Sequence, residues 1–326
     1  MILNLVFFIT GLFLLYFCAG WLVSGSSGLA KSLGLTPIII GLTVVAFGTS
    51  APEMMVSLVS SFKGKSMIAV GNVIGSNICN IALVLGFTAI IRPFSCQSQV
   101  VKRDLPLMLL ASFFLLLISL NSTISRFEGA VLFSGVIGYT CFNYFTVPKK
   151  IRAASASASF SEAPLKKQSP LLSARSRQIL LIIAGIAGVI IGAEILIDSA
   201  VKIMRVFGVS DKFIGLTVVA LGTSLPELAT SLVAAIKNEM DISLGNLLGS
   251  NVFNILSVLG AAAIARPIII PGGFIQSGLM IDYLAMMFIS LLPWLMLRRD
   301  KVLSRCNGFL LLFCYFLYLF YLIKIS

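Results

Sequence analysis

Two glutamates, Glu53 and Glu227, lie inside long apolar stretches, each closing a Gly-Thr-Ser-x-Pro-Glu segment (GTSAPE at 48–53, GTSLPE at 222–227). A carboxylate at the centre of a membrane helix costs about 2.5–3.5 kcal/mol on insertion scales, so an acidic residue there is normally kept for a function. Of the chain's 12 acidic residues only these two sit mid-stretch, and no Lys or Arg lies deep enough to neutralise them. A cation from solution is the partner this pattern predicts.

The neighbouring residues supply oxygen. Pro52 and Pro226 lack the N–H that would bond the carbonyls of Gly48 and Gly222, so each helix must break or kink there. Carbonyls released at membrane depth are tolerated where they line a cavity or bind something. Thr49, Ser50, Thr223 and Ser224 add hydroxyls on the same turns. A second motif follows each first one: Gly71-Asn72, Gly75-Ser76-Asn77 and Asn80, matched by Gly245-Asn246, Gly249-Ser250-Asn251 and Asn254. Ser76 with Asn80, and Ser250 with Asn254, are four apart and share a helix face that can turn toward the carboxylates. The glycines make small-xxx-small patterns that allow close helix packing. With no His and six Cys in no CxxC spacing, this hard-oxygen set suits Ca²⁺, Mg²⁺, Mn²⁺ or Na⁺ rather than zinc or copper. Ca²⁺, which takes roughly 6–8 oxygens in flexible geometry, fits better than octahedral Mg²⁺.

These motifs belong to a repeat. Residues 41–93 and 215–267 match at a constant offset of 174, without insertion. Hydrophobic residues make up 58% of the chain and charged residues 11%, with mean hydropathy +1.05, a composition that calls for lipid as solvent. Apolar runs of membrane-spanning length fall at 2–23, 37–62, 67–91, 105–120, 127–146, 178–198, 213–236, 242–265, 279–297 and 307–323. The expected fold is therefore an all-α integral membrane protein with ten transmembrane helices. Residues 147–176, rich in Ser, Ala, Pro and Lys, read as a cytoplasmic linker between a first half (1–146) and a second (177–326).

An N-terminus outside places 16 of the 24 basic residues in inward loops, as the positive-inside bias requires. That basic rim accounts for the net charge of +12 without any nucleic-acid partner. Met1 opens an apolar run with no basic stretch before it and no small-residue cleavage site, so the run reads as a first helix. Both termini then lie outside, and the absence of a large soluble domain suggests a prokaryotic inner membrane. Five spans per half make the second copy inverted relative to the first, which brings Glu53 and Glu227 together near the bilayer midplane. The cysteines read as free thiols. No catalytic dyad is visible, which argues against an enzyme, and inverted copies within one chain argue against a pore gathered from symmetric subunits. Glu194 and Asp198, near the membrane edge, are left outside the candidate site.

The paired GTSxPE and GNxxGSNxxN segments resemble the α-repeats of the sodium/calcium exchanger family, within the cation/calcium antiporter superfamily, and the length and short linker resemble its prokaryotic members. The resemblance implies a central calcium site of Glu53, Glu227, Thr49 and Thr223. It also implies flanking sodium sites using Ala46, Thr49 and Ser76 on one side, and Ala220, Thr223 and Ser250 on the other. Some members carry Asp where this chain has Asn254, whose first-repeat equivalent is Asn80; Asn at both positions argues against potassium dependence. With two negative charges, Ca²⁺ and Na⁺ would exclude one another, and helices 1 and 6 would slide to give alternating access. The implied activity is Ca²⁺ exchange for Na⁺ by a chain working as a monomer, without a cofactor, on inorganic cations in a lipid bilayer. Two facing glutamates can also share a proton, which leaves a Ca²⁺/H⁺ antiporter as the alternative.

Overall fold

The computed structural model describes residues 2–145, 171–207 and 220–325, and nearly everything in it is helical. In the first half α1 covers Ile2–Leu33, α2 Pro37–Thr49, α3 Ala51–Phe62, α4 Ser66–Ile91, α5 Leu105–Ser119 and α6 Arg126–Phe145. In the second, α7 covers Leu171–Val206, α8 Leu225–Ile236, α9 Met240–Ala265, α10 Leu279–Asp300 and α11 Arg305–Ile325. Among the described residues six helices are long and apolar enough to cross a membrane, or seven if α2 and α3 form one bent span. The first part of the expected span at 213–236 lies largely outside the described residues, and helix α7 starts at Leu171, so the last residues of the expected 147–176 linker are helical. The rest of that linker also lies outside the description.

The break between α2 and α3 falls where the sequence places it. The two segments meet at Ser50 with a bend of 46°, because Pro52 in the first turn of α3 cannot continue the ladder from α2. Ser224 precedes α8 in nearly the same conformation: φ −90°, ψ 5°, against −81°, 9° at Ser50. Backbone hydrogen bonding also widens to π-type at Gly41–Val45, Cys79–Leu85 and Asn254–Leu259. Such stretches are frequent at functional sites, and the last two begin beside or at Asn80 and Asn254.

Helices α4 and α9 form the buried centre, with Phe, Leu and Ile side chains of the outer helices turned outward, among them Phe13, Phe113, Phe288 and Phe313. In water such a surface would aggregate; in lipid it is the solvated one. Glycines let backbones touch. A Cβ on Gly245 would lie 2.5 Å from the Ile38 carbonyl, and one on Gly185 2.7 Å from the Leu22 nitrogen. The α1–α7 contact is antiparallel, since Gly11 lies against Leu196 and Gly25 against Gln178.

The halves interlock reciprocally. Strand β1 (Phe94–Ser95) pairs with β4 (Val302–Leu303), and β2 (Thr123–Ile124) pairs with β3 (Ile268–Ile269). Each short ladder ties the segment after the repeat of one half to the connection between the last two helices of the other.

Candidate cation site

Glu53 and Glu227 sit in the third position of α3 and α8, just past the breaks, and both are 0% exposed. Helix N-termini carry unbonded N–H groups and partial positive charge, which eases burial of an anion. Each break serine reaches across to the other half: Ser50 Oγ donates to Glu227 Oε1 at 3.1 Å, and Ser224 Oγ to Glu53 Oε1 at 3.4 Å. Under the offset of 174 these are one contact made twice. Ser250 Oγ also donates to Glu227 Oε1, at 3.3 Å. Neither carboxylate has a Lys or Arg partner; the salt bridges among the described residues are Arg103–Asp104 and Lys202–Asp198.

Around the carboxylates the remaining candidates divide. Thr49 is buried, with Oγ1 3.0 Å from Asn246 Oδ1 and 3.5 Å from Ser250 Oγ, while the Ala46 carbonyl accepts from Ser50 N at 3.0 Å. Asn80 and Asn254 do not hydrogen-bond the glutamates. Their amide nitrogens cross the halves instead, to Asn251 Oδ1 at 3.0 Å and Asn77 Oδ1 at 3.1 Å. Asn77 and Asn251 complete the exchange by donating to each other's backbone carbonyls, at 3.3 and 3.4 Å. Ala220 opens a short helical turn, Ala220–Gly222.

Several buried oxygens in this region have no hydrogen-bond partner: Glu53 Oε2, Glu227 Oε2, Asn80 Oδ1, Asn254 Oδ1, Ser76 Oγ and Thr223 Oγ1. Buried polar atoms are rarely left so, and carboxylate, amide and hydroxyl oxygens are the types a hard cation takes. Among the described residues no group of three or more His, Cys, Asp or Glu could hold a metal, so any ion bound here would rest on two carboxylates and neutral oxygens.

Sequence reasoning left Asn77, Asn246 and Asn251 off the site, although all three lie in the repeated motif. Asn72 and Asn246 act alike: Asn72 Nδ2 donates to Ser57 Oγ at 2.9 Å and Asn246 Nδ2 to Ser231 Oγ at 3.3 Å, fastening α4 to α3 and α9 to α8.

The model of the family described as "Sodium/calcium exchanger protein" matches residues 3–145 and 177–324. The chain belongs to the sodium/calcium exchanger family. It is accordingly a membrane-spanning ion antiporter by family, not a classical enzyme. This exchanger-family chain is 37% identical over 318 residues to the putative antiporter CaxA of Alkalimonas amylolytica, covering 97% of each. It is 29% identical to the sodium/calcium exchanger MaX1 of Methanosarcina acetivorans, covering 98% of this chain and 96% of that one. A solved structure of the sodium-calcium exchanger NCX_Mj, soaked with Na⁺ and Ca²⁺, aligns over 97% of both chains with TM-score 0.80 and 33% identity. Another relative, 36% identical, is the inner membrane protein YrbG of Escherichia coli.

Proposed function

We propose that this exchanger-family chain moves Ca²⁺ one way and Na⁺ the other through a single site centred on Glu53 and Glu227. The observation that supports this most strongly is the reciprocal pair Ser50–Glu227 and Ser224–Glu53, which draws two buried, basically unpaired carboxylates into one region. Ca²⁺ would take both carboxylates with Thr49 and Thr223. Na⁺ would use Ala46, Thr49 and Ser76, or Ala220, Thr223 and Ser250, with Asn80 and Asn254 shaping the floor. Because the ions compete for the same oxygens, occupancy by one expels the other, and that competition is what couples the fluxes.

Ten spans in two inverted halves, with both termini outside a prokaryotic inner membrane, complete the reading. Reciprocal contacts are those of a twofold-related pair of elements, and an in-plane twofold is the arrangement that lets one site face either side. If three Na⁺ exchange for one Ca²⁺, each cycle moves one net charge, worth about 2.3 kcal/mol per 100 mV.

The test is ⁴⁵Ca²⁺ uptake into proteoliposomes loaded with Na⁺, compared with K⁺-loaded and acid-loaded vesicles at clamped voltage. Uptake that needs internal Na⁺ is expected. Uptake driven by the proton gradient alone would replace this reading with Ca²⁺/H⁺ antiport.

A further inference from the structure

The two faces of the site are not equally closed. Helix α1 packs directly along α8, whereas α7 stands off α3 and leaves a cleft of about 320 Å³ lined by Pro52, Met55, Ile197, Glu194 and Thr223. These are offset counterparts: α1 corresponds to α7 and α8 to α3. One side of the repeat is shut and the other is open.

The shut side is held by hydrogen bonds. From the turn after α8, Lys237 Nζ donates to the Gly20 carbonyl at 2.7 Å and to Ser24 Oγ at 2.9 Å; Ser27 Oγ donates to Glu239 Oε1 at 2.7 Å. The offset of 174 carries Lys237 to Lys63, Gly20 to Glu194 and Ser24 to Asp198. The two lysine-bearing turns have the same form. Asn238 at φ 64° occupies the place of Gly64 at φ 70°, and the bonds Glu239 N to Ala234 O and Lys65 N to Ser60 O are both 2.8 Å.

Glycine at position 20 sharpens the comparison. A Cβ built there would lie 3.2 Å from Lys237 Nζ, so a side chain at the equivalent position grows directly toward the equivalent ammonium. That position holds Glu194. In this structure Glu194 is exposed in the cleft, Lys63 is exposed at the end of α3, and neither makes an ion pair among the described residues. Asp198 pairs with Lys202 on its own helix at 2.9 Å. Arg266, the other cation at this turn, is engaged with the Phe62 carbonyl at 3.3 Å.

We propose that Glu194 and Lys63 are gating residues: when α1 and α7 shift to their opposite position, the Glu194 carboxylate takes the Lys63 ammonium, Asp198 takes the place of Ser24 beside it, and the cleft closes. The inference rests on the alternating-access reading above. The two latches differ in kind. The present one sets Lys237 against neutral oxygens, and the other sets Lys63 against two carboxylates, so closing the second side offsets one of the two negative charges at the mouth through which a cation has just entered. Glu239 and Ser27 have no such counterpart, since Lys65 and Val201 occupy those places.

The test uses the full-length chain in proteoliposomes with its six native cysteines replaced. Two cysteine pairs are introduced separately, Gly20→Cys with Lys237→Cys, and Lys63→Cys with Glu194→Cys, and each is oxidised. Both are expected to cross-link, and each cross-link to stop ion flux. Cross-linking at 20/237 with none at 63/194 would overturn the latch. In the cysteine-replaced chain, Glu194→Lys alone should slow exchange about two- to five-fold, the worth of a solvent-facing ion pair, and adding Lys63→Glu should restore it; failure of the double reversal to restore also counts against the proposal. If the 63/194 pair cross-links but the cysteine-replaced parent, which carries neither pair, shows no Na⁺-dependent Ca²⁺ flux, the ion assignment fails and the latch stands.

Discussion

Ser50 donates its hydroxyl to Glu227 in the other half, 3.1 Å away, instead of capping the helix it precedes. A serine before a helix ordinarily bonds the second or third N–H of that helix; neither Ser50 nor Ser224 does. The hydroxyls are thereby free to hold the carboxylates of opposite halves in register. A hydrogen bond to a charged group contributes roughly 1.5–3 kcal/mol. Ser50→Ala should therefore raise the Ca²⁺ concentration for half-maximal flux at least about ten-fold, with Ser224→Ala acting in the same direction. Unchanged concentration dependence in both would remove the serines from the site.

Glu53→Gln and Glu227→Gln keep side-chain volume and remove the charge. Each should abolish Ca²⁺ flux while the chain still inserts and elutes as a folded species. Loss of a buried, unpaired charge is not expected to destabilise the protein, so melting in detergent should hold or rise. Normal exchange by either variant would exclude a shared two-carboxylate site.

Much of this site is legible in the sequence because its parts are local. The proline break, the glutamate three residues into the following helix and the serine before it lie within six residues, and the repeat at an offset of 174 identifies the second copy. What the sequence does not reveal is which partner each polar group takes across the halves. Asn80 and Asn254 share a face with Ser76 and Ser250, yet their amides bond Asn251 and Asn77, because helices α4 and α9 cross there and a crossing point is set by packing rather than by period. The π-type widening at Cys79–Leu85 and Asn254–Leu259 has no composition signal in these residues, and neither do the two-residue ladders that clip the halves together.

Asn254→Asp tests the network directly. The amide of Asn254 donates to Asn77 Oδ1; an ionised carboxylate cannot donate and would face another acceptor, while adding a third negative charge to the cavity. The variant should bind a proton or a further cation where the parent does not, read as a new pH dependence of flux or a changed charge moved per cycle. Coupling identical to the parent would make Asn254 a spectator.

Gly245 tests packing apart from chemistry. Its missing Cβ allows α9 to lie on α2: a Cβ there would fall 2.5 Å from the Ile38 carbonyl and 2.9 Å from the Leu42 nitrogen, both backbone atoms that cannot swing aside. Gly245→Ala should cost about 1–3 kcal/mol, as overpacking of a well-filled interior does, seen as a lower melting temperature in detergent. An unaltered melting curve would show that the two helices can part without loss.

Orientation can be read from thiols already present. Cys306 is exposed at the start of α11, close to the β1–β4 ladder, while Cys96 beside that ladder is buried. Burial pushes the Cys96 thiol up to about 12, with the nearby Asp241 carboxylate adding to the shift, so at pH 8 it stays protonated and lacks the thiolate that attacks a maleimide. With Cys141 replaced, a membrane-impermeant maleimide applied at that pH should modify Cys306 from the cytoplasmic side and spare Cys96. A Lys63→Cys chain should gain a second site open from the opposite side, because that residue ends α3 on the face where α1 begins. Labelling of Cys306 from outside would invert the topology.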